Sequence, residues 1–389
     1  MDPNEKVRLL INCSNLHVGG AVAVATSFID CLSKAPRPEF EVSLLLSSSV
    51  HANLASSKVD LSLFKNCRIA DYQGARSIWQ GIDRQFEGQD LVFTVFGPLY
   101  SFRMRTRHIF GFAQPLIIYP SNPVERQMSL WLRLKQRLKY KLQELYFARA
   151  DQLIVELEHV KAALSEKFLF RNKPVHVVYN AVDAVFREPA RRLAVGIPAT
   201  PGAIRLGIVS RNYPHKNLAC LPALKERLLD EHRLAVEFFV TFTDHEWLAC
   251  TEPFRNSVSN VGALMLAQSP NFYAAMDGVI FPSLLECFSA VPIEAMTMKK
   301  PLFASDLPFI RDCCHEHANY FDPLDLASMA RSIADYFIKV DRPSQDLLLE
   351  RAHAFVQRYP SSEDRAKSYM DIALSLVSRD HAIQAASAP

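Results

Sequence analysis

Short apolar runs alternate with amphipathic stretches along the whole chain, and this alternation restricts the possible folds more than any other feature. Strands are predicted at residues 7–13, 40–46, 91–96, 108–112, 153–155, 175–179, 205–209, 236–240, 278–281 and 302–304. Helices are predicted at residues 21–33, 158–168, 217–230, 291–298 and 326–340, and again from residue 361 or 362. Buried parallel strands read as continuous apolar runs, and the helices between them cover both faces of the sheet. The pattern therefore predicts doubly wound parallel sheets.

The chain is expected to form two such domains. Residues 183–203 interrupt the alternation with three prolines, two glycines and a charged cluster, which is typical of an interdomain connection. We expect a Rossmann-like α/β domain over 1–185, a linker over 186–202 and a second Rossmann-like domain over 203–360. A C-terminal helix with a frayed tail, 361–389, could pack back on the first domain. The two domains would face each other across a cleft, with ligands at the carboxyl ends of their strands.

Composition indicates an ordinary cytoplasmic protein. A length of 389 residues suits two domains of roughly 150 residues each. The eight cysteines form no CxxC pair and no zinc-type spacing, so reduced thiols are expected. The opening residues have none of the features of a signal peptide, and no apolar run reaches the roughly 18 residues that span a bilayer.

Charge is unevenly distributed, and one basic helix stands out. Residues 1–187 carry 24 basic and 17 acidic residues, a net charge of +7, whereas residues 188–389 carry −4. The stretch 126–147 places an apolar face beside a basic face that holds Arg133, Arg137 and Lys141. Such a helix favours contact with an anionic membrane surface, although a core-facing helix with a solvated basic face has the same pattern. The charge is too mild, and the motifs are absent, for a nucleic-acid partner.

The segment 281–296, FPSLLECFSAVPIEAM, contains the most informative pair of acidic residues. Glu286 follows a predicted strand, and Glu294 lies eight residues later in the next helix. Between them the chain must turn into a helix N-terminus, whose free N–H groups suit a phosphate. Carboxylates on either side could accept hydrogen bonds from sugar hydroxyls. The alternative is a glutamate favoured by the helix dipole together with a surface loop glutamate.

Two further loops between strand and helix could bind an anion. Arg211 and Lys216 lie in the loop GIVSRNYPHKN and could neutralise a diphosphate. Gly19 and Gly20 lie in the loop NLHVGGA, where backbone N–H groups could approach an anion closely. Solvated cations and a simple tight turn remain the alternatives for these two loops.

Together these segments resemble the retaining glycosyltransferases of family 4, which have the two-domain GT-B fold. The family pattern, PS-x-x-E-G-F-G-x-x-x-x-E-A-M, is represented here by Pro282, Ser283, Glu286, Phe288, Glu294, Ala295 and Met296. The segments 150–168, 177–183, 210–217 and 301–325 are also similar to the family, whereas 35–145 is similar only loosely. Cys287 and Ser289 replace the usual glycines, which puts the geometry of the diphosphate loop in question.

The resemblance assigns roles to these residues. Glu294 would hold the ribose hydroxyls of the nucleotide, and Glu286 the hydroxyls of the transferred sugar. Arg211 and Lys216 would bind the diphosphate. Backbone amides would complete its cradle at Phe288, Ser289, Ala290, Gly19 and Gly20. A histidine of the first domain lies near the sugar in many relatives, and the candidates here are His17 and His108, with Gln114 as a further polar contact. A surface or core position is the alternative for both histidines.

The resemblance also implies a reaction. A sugar would pass with retention from a nucleotide-diphosphate sugar, the co-substrate, to a hydroxyl of a glycan or lipid-linked glycan, without a metal or other cofactor. Surface polysaccharide synthesis at the inner face of the cell membrane fits that expectation. The alternatives are a sugar-nucleotide epimerase, a phosphorylase, or a catalytically silent module that binds nucleotide sugars.

Overall fold

The chain divides into two compact units, each built on one parallel sheet. The computed structural model describes residues 6–101, 103–126 and 128–386. The first unit comprises residues 1–120, 130–181 and 360–389, and the second comprises residues 121–129 and 182–359. The C-terminal helix thus belongs to the same unit as the N-terminal strand.

The first unit contains a seven-stranded parallel sheet. Its strands are β1 (Val7–Cys13), β2 (Phe40–Leu46), β3 (Asn66–Ile69), β4 (Leu91–Thr94), β5 (Arg107–Gly111), β6 (Gln152–Val155) and β7 (Val175–Val177), in the order β3-β2-β1-β4-β5-β6-β7. The helices of the first half are α1 (Gly20–Lys34), α2 (Ser48–Ser56), α3 (Arg76–Trp79), α4 (Pro115–Ile118), α5 (Pro123–Arg126), α6 (Leu130–Phe147) and α7 (Glu158–Ser165). Of these, α5 groups with the second unit.

The second unit contains a six-stranded parallel sheet. Its strands are β8 (Ile204–Ile208), β9 (Val236–Val240), β10 (Val258–Asn260), β11 (Gly278–Phe281), β12 (Leu302–Ser305) and β13 (Asn319–Phe321), in the order β10-β9-β8-β11-β12-β13. Its helices are α8 (Leu221–His232), α9 (Asp244–Leu248), α10 (Glu252–Ser257), α11 (Ser269–Ala275), α12 (Ala290–Thr297), α13 (Pro308–Cys314), α14 (Leu326–Ala334) and α15 (Arg342–Val356). The predicted class, two α/β domains with parallel sheets, is confirmed.

The last helix, α16 (Ser362–Ala386), completes the core of the first unit. Its Tyr369 ring packs edge-on against Phe28 of α1 and Phe93 of β4, with centroids 5.2 and 5.3 Å away. These contacts bury apolar area from three elements that are distant in sequence. The helix runs to Ala386, into the part of the chain where a frayed tail was expected, and residues 387–389 of that tail lie outside the described residues.

A buried polar cluster fixes the start of this helix. Arg365 is 2% exposed and donates hydrogen bonds to the side chains of Asn180 and Ser27, the latter at 3.0 Å. Burial raises the pKa of nearby Glu156 to about 7, although Arg365 and Asn180 pull it down. The cluster thus joins α16 to residues that follow β6 and β7.

Two helix predictions need correction. The helix predicted over 217–230 is observed as α8, which begins only at Leu221, after a short 3₁₀ turn. Asn217 has φ 56°, a left-handed conformation that asparagine tolerates, and its side chain donates to the carbonyl of Pro323 at 2.9 Å. The helix predicted to reach residue 340 changes after Ala334 into a π-helical segment, Asp335–Lys339.

Candidate functional site

Glu286 and Lys216 form an ion pair between two neighbouring loops of the second sheet. Lys216 lies beyond the carboxyl end of β8, and Glu286 beyond that of β11, the strand beside it. The Lys216 ammonium donates to Glu286 Oε1, which also accepts a hydrogen bond from the Ser283 hydroxyl at 2.8 Å. The imidazole Nε2 of His215 lies 3.8 Å from the same oxygen. The structure therefore brings together two residues, Lys216 and Glu286, that the sequence singled out separately.

Backbone contacts hold these two loops together. The amide of Leu284 donates to the carbonyl of His215 at 2.7 Å, and both side chains of the ion pair are mostly shielded from water. Burial lowers the pKa of His215, although Glu286 opposes that effect. His215 and Ser283 were not singled out from the sequence, although both lie inside the motifs quoted above.

Glu294 lies on α12 and is held by a tyrosine. The Tyr273 hydroxyl, from α11, donates to Glu294 Oε2 at 2.8 Å. Burial raises the pKa of Glu294 to about 7; the Tyr273 hydrogen bond acts against this, and the negative charge of Asp183 adds to it. Near neutral pH this carboxyl group can thus lose or keep its proton, which is typical of functional positions. Nothing in the sequence pointed to Tyr273.

The turn into α12 is built without left-handed backbone. Neither Cys287 nor Ser289 has a positive φ. This loop conformation therefore does not require glycine at either position. Phe288, Ser289 and Ala290 are only partly buried, and no described side chain caps the helix. The amide N–H groups that open α12 can therefore still receive an anion.

Arg211 is bound to a different partner from Lys216. Its Nε lies 2.8 and 2.9 Å from the two carboxylate oxygens of Glu246, the capping-box residue of α9. Burial opposes ionisation of Glu246, but hydrogen bonds from Arg211, Thr243 and Asn212 outweigh it and hold the pKa of Glu246 at about 2. In the structure Arg211 is therefore fixed by a firmly ionised carboxylate, which the sequence analysis did not identify.

The first unit contains a pocket of about 610 Å³ at the carboxyl edge of its sheet. His17 and Gln114 line the pocket, and His17 Nε2 lies 3.1 Å from the carbonyl of Tyr72. Gly19 and Gly20 are exposed at the start of α1, with open space around both. Gly19 has φ 76°, which favours glycine.

His108 is not available for a substrate, so its candidate role as a sugar or acceptor contact was wrong. It lies near the amino end of β5, is 1% exposed and packs edge-on against Phe86 and Phe110. Burial lowers its pKa to about 4, so it is neutral at physiological pH. This residue is a core histidine.

The three basic residues expected to face a membrane lie on α6. Arg137 and Lys141 are exposed and Arg133 is partly buried. Lys141 also pairs with Glu144 at 3.1 Å. Within the residues that the structure describes, no helix combines the length and apolar character needed to cross a membrane.

Comparison with known proteins bears on both units. Residues 203–337 match the model of the family described as glycosyl transferases group 1. No curated protein matches the chain. The structure is similar to that of Anabaena Alr3699/HepE in complex with UDP-glucose, with a TM-score of 0.69 and 14% identity over 95% of this chain and 99% of that one.

Two further solved structures agree along nearly their whole length. Sucrose-phosphate synthase from Thermosynechococcus elongatus has a TM-score of 0.68 and 14% identity, covering 96% of this chain and 100% of that one. WaaG, a glycosyltransferase involved in lipopolysaccharide biosynthesis, has a TM-score of 0.64 and 12% identity, covering 92% and 98%. Residues 203–337 thus match the glycosyl transferases group 1, and the chain as a whole has the GT-B fold of such transferases.

Proposed function

We propose that the protein is a retaining glycosyltransferase that uses a nucleotide-diphosphate sugar. The observation that carries the proposal is the Lys216–Glu286 ion pair at the carboxyl edge of the second sheet. Glu286 lies four residues before Ala290, the first residue of α12, whose N-terminus has no side-chain cap among the described residues. An ammonium and free amides can stabilise a departing diphosphate, and carboxylates can hold sugar hydroxyls. The solved complex of HepE with UDP-glucose makes a uridine nucleotide the first donor to try.

In the proposed reaction the bond between the anomeric carbon and the diphosphate oxygen breaks, and a bond from the acceptor hydroxyl to that carbon forms on the same face. The departing diphosphate oxygen takes the proton of the acceptor hydroxyl. Lys216 offsets the charge that develops on the diphosphate, Glu286 orients the sugar, and Glu294 holds the ribose. The proposal includes no metal and no other cofactor.

The acceptor is proposed to be a glycan or lipid-linked glycan of surface polysaccharide synthesis, at the inner face of the cell membrane. The role of WaaG in lipopolysaccharide biosynthesis and the exposed basic helix α6 support this choice.

Substitution of the two glutamates tests the donor site. Glu294→Ala removes a hydrogen-bond acceptor for the ribose, so we expect nucleotide binding to weaken by about 1.5–3 kcal/mol, whereas Glu286→Ala should lower turnover by roughly 10²-fold or more. Thermal shift with UDP, GDP, ADP and dTDP identifies the nucleotide, and release of labelled sugar from its diphosphate sugar measures turnover. Glu316→Ala, at a side chain that is 82% exposed in the same unit, is the matched control.

The same experiment separates the alternatives. If both glutamate variants bind the nucleotide and turn over the donor as the parent does, the site lies elsewhere. Binding of a nucleotide sugar without transfer or hydrolysis would identify a silent binding module. Isomerised donor, or phosphate-dependent cleavage of a glycan, would identify an epimerase or a phosphorylase.

A further inference from the structure

A pocket of about 470 Å³ lies in the second unit, away from the candidate donor site. It is lined by the loop 315–317, which precedes β13, and by residues 351–358 at the end of α15. The strands of this sheet are parallel, so the loop before β13 lies at the amino edge of the sheet. Lys216 and Glu286 lie beyond the carboxyl ends of β8 and β11, at the opposite edge. The pocket, which we call the α15 pocket, is therefore not part of the donor site.

The spacing of residues at the end of α15 builds one side of this pocket. Arg351, Ala354 and Phe355 are three and four positions apart and so share one face of the helix. Arg358 follows in the turn that closes the helix, where its amide donates to the carbonyl of Phe355 at 3.1 Å. Because Ala354 carries only a methyl group, room is left between the two guanidinium groups.

Two histidines build the other side of the α15 pocket. The rings of His315 and His317 both pack against Phe355, with centroids 5.2 and 4.6 Å away. The side chain of His317 is 14% exposed. Burial lowers its pKa; the nearby carboxylate of Glu316 opposes this, and the other basic groups of the pocket add to it. Two guanidinium and two imidazole groups thus surround one aromatic ring.

The arginines of the α15 pocket lack the carboxylate partners that other surface arginines of this unit have. Arg311, for example, pairs with Asp306 at 2.6 Å. Among the described residues, no carboxylate lies within ion-pair distance of Arg351 or Arg358. The acidic residue beside them, Glu316, is 82% exposed. Like charges held together raise the free energy of the folded protein, so this arrangement favours a ligand that supplies negative charge.

The chemistry of the α15 pocket indicates the class of anion. Guanidinium groups bind phosphate through paired N–H groups, and a phosphate monoester carries a charge of about −1.5 to −2 near neutral pH. The volume of about 470 Å³ suits a small molecule and exceeds what a free phosphate ion fills. The ring of Phe355 offers apolar surface to an organic group.

We propose that the α15 pocket binds a small organic phosphate through Arg351, Arg358 and the two histidines. The chain passes from the second unit to the first between Tyr359 and Pro360, directly after Arg358. A ligand on Arg358 would therefore restrain the backbone at this crossing. The inference does not depend on the proposed function, because binding in this pocket requires no donor.

Titration calorimetry of the full chain with phenyl phosphate tests the site. Phenyl phosphate should bind at least about 10-fold more tightly than inorganic phosphate, because its ring adds apolar contact with Phe355. Arg351→Gln with Arg358→Gln should weaken this binding at least about 10-fold. Arg351→Lys with Arg358→Lys should recover only part of the loss, because an ammonium lacks the paired N–H groups.

Two control variants locate the site. Arg331→Gln with Arg342→Gln removes the same charge at exposed positions of the same unit and should bind phenyl phosphate like the parent. Lys216→Gln alters the candidate donor site and should also bind phenyl phosphate like the parent. Failure of the proposed function is separately visible, because it would appear in nucleotide binding and sugar release, which do not involve the α15 pocket.

Several results would overturn the proposal. Equal binding of phenyl phosphate by the parent and by Arg351→Gln with Arg358→Gln would place the phosphate elsewhere, and loss of binding in Lys216→Gln would place it in the donor site. Inorganic phosphate that binds as tightly as phenyl phosphate would indicate a site for the free ion. A hexaglutamate peptide that binds more tightly than phenyl phosphate, and loses affinity in the same arginine variant, would identify a docking surface for an acidic protein.

Discussion

At the scale of single residues, Glu294 shows how burial can set the chemistry of a site. Burial of its carboxyl group disfavours the charged form, and the hydrogen bond from Tyr273 recovers only part of the lost solvation. The result is a pKa of about 7, at which a modest change in surroundings decides whether the group is charged.

Nucleotide binding should consequently depend on pH through Glu294. A carboxylate accepts hydrogen bonds from hydroxyls more strongly than the protonated acid, so affinity should rise as pH increases through about 7. Tyr273→Phe removes the bond that lowers this pKa and should move the midpoint to higher pH. Titration calorimetry across pH measures the midpoints of the parent and of Tyr273→Phe. As a control, Glu294→Gln should bind the nucleotide independently of pH in this range. An unshifted midpoint in Tyr273→Phe would contradict the role assigned to that tyrosine.

At the scale of elements, the anchoring of α16 depends on a side chain that is costly to remove. Arg365→Ala would leave Glu156 and Asn180 buried without their cationic partner, so the first unit should lose about 3 kcal/mol or more of its free energy of unfolding. Hydrogen exchange of β1 and α16 in urea measures the change unit by unit.

Another ion pair of the same helix serves as the control. Asp371 pairs with Arg37 at 2.9 Å and is about half exposed, so Asp371→Ala should cost less than about 1 kcal/mol. Similar losses in the two variants would mean that the Arg365 cluster does not fix the helix.

Elements also differ in how well the sequence predicts them. The bounds of β1, β2, β9 and β11 were predicted to the residue, because these inner strands are mostly apolar. The three strands that were missed, β3, β10 and β13, all lie at sheet edges and contain polar residues, such as Asn66 and Ser259. An edge strand is defined by the neighbour to which it bonds, which a local pattern does not contain.

The candidate site follows the same rule. Sequence motifs identified Glu286, Lys216 and Glu294 as candidates. The structure places Glu286 and Lys216 in contact. Glu294 and Arg211 are held by Tyr273 and Glu246, respectively. These partners come from other segments and have no distinctive spacing, so only tertiary packing reveals them.

At the scale of the whole molecule, the charge asymmetry predicts that the proposed contact with an anionic membrane depends on salt. The first half carries a net charge of +7 and the second half −4, so attraction to an anionic surface acts mainly through the first half. Raising NaCl to about 0.5 M shortens the Debye length and should lower flotation with anionic vesicles several-fold. Flotation that is insensitive to salt would contradict an electrostatic contribution of the first half to membrane binding.

The packing of α16 against the first unit has a consequence for how the protein folds during translation. Residues 360–389 are synthesised after the whole of the second unit, yet Ala366, Tyr369 and Met370 fill the interior around β1. The core of the first unit therefore stays incomplete while some 180 further residues are synthesised. A message cut short before codon 366 yields a chain whose second sheet can form but whose first remains exposed to proteases and chaperones.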